Sequence, residues 1–241
     1  MERKMSTALK VSIILNSIIA ALVAIGTLCM LSGFKFSNES GIELAFTASN
    51  LNAFKYFTVD SNVLAGTASL IFLIFEVKLA KGQISELPKF LYNLKLAATS
   101  AITLTMMVTV FFLTPQFKED WFSLFKGINL FYHLIIPLLC LVSFVFFEKP
   151  SLYTPVQTNS ASFGFGYSFT GLIPMALYAF FYTINVMTHL QDGLPTKDYD
   201  WYNFLLGKVS NAFISIPAMI IVTWLISLGL WALNRHMPNK I

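Results

Sequence analysis

The stretch VSIILNSIIAALVAIGTLCML, residues 11–31, decides the fold. It carries no charged side chain and, at 1.5 Å per residue, is long enough for an α-helix to cross a hydrocarbon core about 30 Å thick. Arg3, Lys4 and Lys10 precede it, as in a signal peptide. Its apolar part is too long for one and no small-residue cleavage site closes it, so it is expected to stay as a first span.

Five comparable runs follow: Phe54 to Val77, Leu91 to Leu113, Ile128 to Phe147, Ser168 to Thr188 and Ala212 to Leu233. The chain is 56% hydrophobic and 12% charged, against about 25% charged in soluble domains, which excludes a soluble fold. The expected architecture is an all-α, polytopic transmembrane helical bundle of about six spans. The connections are too short to bury a core of their own, so residues 1–241 read as a single integral membrane domain. Cys29 and Cys140 both fall inside spans and suggest neither a disulfide framework nor a metal site.

With the N-terminus inside, the inner segments hold Arg3, Lys4, Lys10, Lys78, Lys81, Lys89, Lys95, Lys149, Arg235 and Lys240, most of the 16 basic residues. That bias predicts both termini cytoplasmic. The net charge of +4 is then a matter of topology and membrane lipids, and calls for no nucleic acid. Tyr56, Trp121, Trp201 and Tyr202 lie near span ends, where amphipathic rings anchor at the interface.

The first outer loop, Ser32 to Ala53, has enough apolar residues for a segment lying on the membrane. It also holds the glycosylation triplet Asn38-Glu39-Ser40, which is common by chance. The inner connection Glu148 to Tyr167 reads as a flexible loop. No internal repeat of the transporter kind is apparent.

Polar groups are expensive in hydrocarbon, so those within spans should face the bundle interior and mark a site. Thr58, Ser61 and Asn62 sit just below the outer edge of the second span; Asn129 and His133 share a face of the fourth; Tyr178, Tyr182, Asn185 and His189 form a stripe on the fifth. Three spans thus bring polar groups to one level. The expectation is a cavity open to the outer leaflet, lined by Thr58, Asn62, His133, Tyr182 and Asn185, with Asp60 about 200° around the helix from Thr58 and off that face. A threonine hydroxyl becomes nucleophilic when a neutral imidazole takes its proton, which makes Thr58 and His133 the candidate pair. The competing reading of a membrane threonine is a bond to its own i−4 carbonyl, as expected for Thr99, Thr103, Thr105 and Thr109.

At Tyr56-Phe57-Thr58-Val59-Asp60-Ser61-Asn62-Val63-Leu64 and Tyr132-His133-Leu134-Ile135-Ile136-Pro137 the sequence resembles the androgen-induced family of multi-span membrane hydrolases and their bacterial relatives. Asp200-Trp201-Tyr202-Asn203-Phe204 is similar to that family's acidic-aromatic last outer loop. The resemblance implies hydrolysis of fatty acid esters of hydroxy fatty acids by a membrane-embedded threonine and histidine, at the positions of Thr58 and His133.

The expected function is therefore a lipid ester hydrolase of the threonine type, with Thr58 as nucleophile and His133 as base. Asn62, Asn129, Tyr182 and Asn185 are the candidates to hold substrate or oxyanion. No metal or organic cofactor is implied, and a bacterial chain would sit in the cell membrane. The rival is a small-solute or lipid transporter with the same polar cavity. It is disfavoured at this stage because the inner halves of the spans show little ionisable lining.

Overall fold

The computed structural model describes residues 6–32, 50–114, 125, 128–153, 163–202, 205 and 207–237. Their secondary structure is helical, with no strand among the described residues. The elements are α1 (Thr7–Leu31), α2 (Phe57–Ala80), α3 (Lys89–Val108), α4 (residues 128–147), α5 (Ile173–Thr188) and α6 (Ala212–His236). Five stretches, Thr7–Leu31, Phe57–Ala80, Lys89–Phe111, Phe165–Thr188 and Val209–His236, are each long and apolar enough to cross a membrane. With α4 they make the protein a multi-pass, all-α membrane bundle.

Its polarity is arranged for lipid. Ile14, Ile25, Leu28, Leu70, Phe111, Phe180, Phe181, Ile221 and Leu225 are exposed, while Asn16, Asn62, Ser69, Glu76, Ser100, Ser143 and Asn234 have no accessible surface. Apolar side chains outside and polar ones inside suit a solvent in which every exposed polar group would lack a partner. Helix α3 is the centre: 61% of its span is buried, against 17–33% for the other long spans.

Close approach of the helices depends on small residues. A Cβ on Gly66 would stand 2.5 Å from Val23 Cγ1, and one on Gly26 would stand 2.5 Å from the Tyr132 ring. These glycines let α1 press against α2 and α4.

Two of the span prolines change the type of helix they enter. Proline has no N–H and collides with the carbonyl four residues earlier. Ahead of Pro137 the chain widens into a π-helix, Phe131–Ile135; ahead of Pro174 it tightens into a 3-10 helix, Phe165–Leu172. Pro217 lies inside α6. Two more π segments occur, Thr109–Leu113 at the end of α3 and Ser143–Phe147 at the end of α4.

The connection after α4 is packed where it is described, contrary to its reading as a flexible loop. Glu148, Tyr153 and Phe163 are buried, and Tyr92 of α3 packs on Phe163 with the rings tilted at 39° and 4.3 Å between centroids. An apolar, aromatic connection gains more by filling the gap between α2, α3 and α6 than by remaining in solvent. Residues 154–162, most of the first outer loop with its glycosylation triplet, and Trp121 lie outside the described residues.

Candidate functional site

The π-helix before Pro137 creates an acceptor that the sequence then satisfies. In a π register the carbonyl of residue i pairs with the N–H of residue i+5. For Tyr132 that residue is Pro137, which has none. The Asn62 amide fills the vacancy, donating to Tyr132 O at 3.1 Å and to Thr58 O at 2.8 Å. One side chain thus fastens the segment carrying Thr58 to the segment carrying His133.

His133 is buried and its ring orientation is fixed from α3. Thr109 Oγ1 lies 2.8 Å from His133 Nδ1 and 2.9 Å from the carbonyl of Thr105. A hydroxyl has one proton, and the carbonyl can only accept it. The hydroxyl therefore accepts from Nδ1–H, which places the lone pair of a neutral imidazole on Nε2. Thr109 thus makes the expected i−4 bond and orients the histidine through the same oxygen. Ser61 Oγ meets Thr105 Oγ1 at 3.0 Å one turn below, continuing the polar seam between α2 and α3.

Thr58 lies at the mouth of α2 with Tyr202 above it. The N–H of Phe57 donates to Tyr202 Oη at 3.0 Å, and the Thr58 hydroxyl and N–H are hydrogen-bonded to the same phenol. Burial of that hydroxyl pushes the Tyr202 phenol up to about 12, with the bonds from Phe57 and Thr58 pulling the other way. Sequence reasoning read Tyr202 as an interfacial anchor. Its contact with Thr58 crosses 144 positions of the chain and had no local signature.

The cavity at this end, about 420 Å³, opens between α2, α5 and the turn that follows α5. Tyr182 and Asn185 line it as expected, but Thr58, Asn62 and His133 do not; α2 presents Phe57, Asp60, Ser61 and Leu64 instead. The polar face of α2 is occupied by its packing on α3 and α4, so the open groove runs along the adjacent face, where Asp60 sits. Thr58 is next to that groove, one residue from Phe57 and three from Ser61.

The oxyanion candidates divide by what their protons already do. Both recorded bonds of the Asn62 amide end on carbonyls, and its Oδ1 is a buried acceptor without a partner. Tyr182 donates to Asp200 Oδ1, and its oxygen receives the Tyr202 N–H at 3.4 Å. Asn185 differs: its Nδ2 is buried, lacks a hydrogen-bond partner and belongs to the cavity wall. Asn129 is buried with its Oδ1 unpartnered. His189 caps α5 through Asn185 O at 2.7 Å and stacks on Tyr199, away from the seam.

The opposite half of the bundle corrects the expectation of little ionisable lining. Glu76, Lys95 and Glu148 are all buried there, with Lys95 Nζ 3.0 Å from Glu148 Oε1. Lys95 was counted with the inner segments although it falls inside the expected span Leu91 to Leu113, and Glu148 was read as the first residue of the inner connection; Lys95 lies in α3, and π-helix Ser143–Phe147 turns Glu148 back into the bundle. No protein-family model, curated protein or solved structure matches the chain.

Proposed function

We propose that the protein is a membrane-embedded lipid ester hydrolase in which His133 deprotonates Thr58. The observation that carries this reading is the Thr109–His133 hydrogen bond, which leaves the basic lone pair on Nε2. The Asn62 clamp supports it by holding the segments of Thr58 and His133 side by side. Both ends of the Thr109–His133 bond lie in π segments, which occur frequently at functional sites.

In this mechanism an ester enters through the cavity between α2 and α5, its acyl chain against Phe57, Leu64 and Leu177. His133 Nε2 accepts the Thr58 proton as Oγ1 bonds to the carbonyl carbon. Asn185 Nδ2 is the donor available to the oxyanion. Collapse expels the alkoxide, which takes the proton back from His133. Water, deprotonated by the same imidazole, then frees the acid and restores Thr58. The implied partners are a lipid substrate and bilayer lipids; no cofactor enters a step. With both termini cytoplasmic the cavity faces the outer leaflet, of the cell membrane in a bacterium.

The test is covalent labelling of the solubilised full chain by a lipid-like fluorophosphonate. Wild type and Thr58→Ser label; Thr58→Val and His133→Ala do not, while melting as wild type does. A folded wild type that never labels overturns the covalent mechanism. One observation favours the transporter reading instead, the buried Glu76, Lys95 and Glu148; cargo binding without labelling would support it.

A further inference from the structure

In the half of the bundle away from Thr58 the described residues bring the Lys95 ammonium together with the carboxyl groups of Glu76 and Glu148. Lys95 Nζ donates to Asn16 Oδ1 at 2.8 Å, Glu148 Oε1 at 3.0 Å and Ser69 Oγ at 3.1 Å. A lysine has three N–H donors, so all three are committed and none reaches Glu76. Glu148 is further held by Ser143 Oγ at 2.6 Å and the Asn16 amide at 3.1 Å. Glu76 Oε2 receives the same Asn16 amide at 3.3 Å, beside the Ser12 hydroxyl.

The two carboxyls accept from one amide nitrogen and are therefore neighbours. Glu76 Oε1 and Glu148 Oε2 are both buried without a partner, and of the two carboxyls only Glu148 has the ammonium against it. Two adjacent carboxylates cannot both be charged in such a place on the strength of one cation. Lys95 neutralises Glu148, so Glu76 needs a positive charge of its own. A metal ion takes several oxygens at once; the two carboxyls stand here with an ammonium rather than a third ligand of their kind, and no group of three His, Cys, Asp or Glu able to hold a metal occurs among the described residues. A proton needs only the bare Oε1.

We propose that Glu76 is an intramembrane proton-binding site, its carboxyl holding one exchangeable proton beside the fixed Lys95–Glu148 pair. On release the Oε1–H bond breaks, the electron pair stays on oxygen and the proton passes to water admitted at this end of the bundle. Among the described residues the titratable or charged groups around Glu76 are Lys95 and Tyr92 on α3, Cys140 on α4, and Glu148 and Tyr153 beyond it. α1 presents Ser12 and Asn16, and α6 presents Asn234, none of them ionisable. Arg235 is turned to the Phe163 carbonyl and the Trp231 ring, and Lys149 to the carbonyls ending α6. The site draws on α1, α2, α3 and the end of α4, so proton occupancy is coupled to how those elements pack. It does not rest on the hydrolase mechanism.

The experiment is difference infrared spectroscopy of the full chain in lipid nanodiscs, between neutral and strongly alkaline buffer. Wild type is expected to show the C=O band of a buried carboxylic acid that is lost on alkalinisation. Glu76→Gln keeps an acceptor for Asn16 and should lack the band; Asp60→Asn should retain it. Lys95→Met removes the ammonium that meets the carboxyls, so both take protons and the band should grow about twofold, a readout that stands even if Glu76→Gln fails to fold. The proposal is overturned if wild type has no protonated carboxyl at neutral pH or if the band survives Glu76→Gln. A wild-type melting midpoint that rises with sodium at fixed ionic strength would overturn it too, the site then being a metal-cation site.

Discussion

The hydroxyl of Thr109 and Nδ1 of His133 stand 2.8 Å apart, and the proton between them belongs to the histidine. The reason is one turn away: the hydroxyl's own proton is given to Thr105 O at 2.9 Å. Thr109→Val removes the acceptor that selects the tautomer while keeping the volume. Fluorophosphonate labelling of Thr58 is expected to slow on the order of 10²-fold, a share of what general-base catalysis supplies. Thr109→Ser should stay within a few-fold of wild type. Matching melting curves would establish that the loss lies in the histidine; labelling at wild-type rate in Thr109→Val would show that His133 is not the base.

Tyr202 sets a pH limit at the other side of Thr58. Its hydroxyl is pushed from an ordinary 10 up to about 12 by burial. A group whose pKa is raised by folding stabilises fully below its unfolded value and loses that contribution as pH rises through the folded one. Wild type is therefore expected to lose thermal stability between pH 10 and about 12 more steeply than Tyr202→Phe, which has no proton to lose. The check is the difference between the two melting curves across that window, since other tyrosines and lysines titrate in both. Parallel curves would mean that the phenol ionises without resistance.

Helix contact at Gly66 gives a packing prediction. A Cβ there would meet Val23 Cγ1 at 2.5 Å, well inside van der Waals contact. Gly66→Ala should cost about 1–3 kcal/mol, the usual penalty of overpacking, and Val23→Ala should restore part of it by making room. Measured as melting midpoints in detergent, the double variant is expected to be more stable than Gly66→Ala alone. Additive losses would show that α1 and α2 relax independently.

The spans were legible because each is a run of apolar residues whose length the bilayer dictates. Helices α1 to α6 fall within about five residues of the expected ends, and Thr58, Ser61, Asn62, Asn129 and His133 are buried inside the bundle as expected. The groove was not legible. Helical periodicity puts Thr58 and Asp60 on different faces, but only the packing of α3 and α4 decides which face of α2 is filled. The Asn62 clamp was equally hidden, because it answers a carbonyl left unpaired by Pro137 in a register that hydrophobic periodicity does not reveal. Lys95, in the second turn of α3 and inside the expected span Leu91 to Leu113, was counted with the inner segments all the same, and Glu148 was misplaced for a hidden-register reason of the same kind. A charge at the end of an apolar run reads as a loop residue unless the chain turns back, and a π turn does that without a distinctive residue pattern.

The surplus carboxyl leads to a prediction that inverts the usual behaviour of a buried ion pair. Removing one partner of such a pair commonly costs about 3–5 kcal/mol because the other charge is left alone. In Glu148→Gln, however, Lys95 has Glu76 within the same cluster, joined to it through Asn16. Glu76 can give up its proton and replace the lost carboxylate, so Glu148→Gln is expected to cost only about 1 kcal/mol, as is Glu76→Gln, each the scale of one altered hydrogen bond. The double variant Glu76→Gln/Glu148→Gln leaves the ammonium with no counter-charge and should lose the full 3–5 kcal/mol, well beyond the sum of the singles. Adding Lys95→Met to the double variant should recover most of that loss, since the buried charge is then gone. Thermal or denaturant unfolding of the four variants in one detergent measures the cycle. A double variant no worse than the sum of its singles would show that Lys95 never turns to Glu76, and that the two carboxyls act separately.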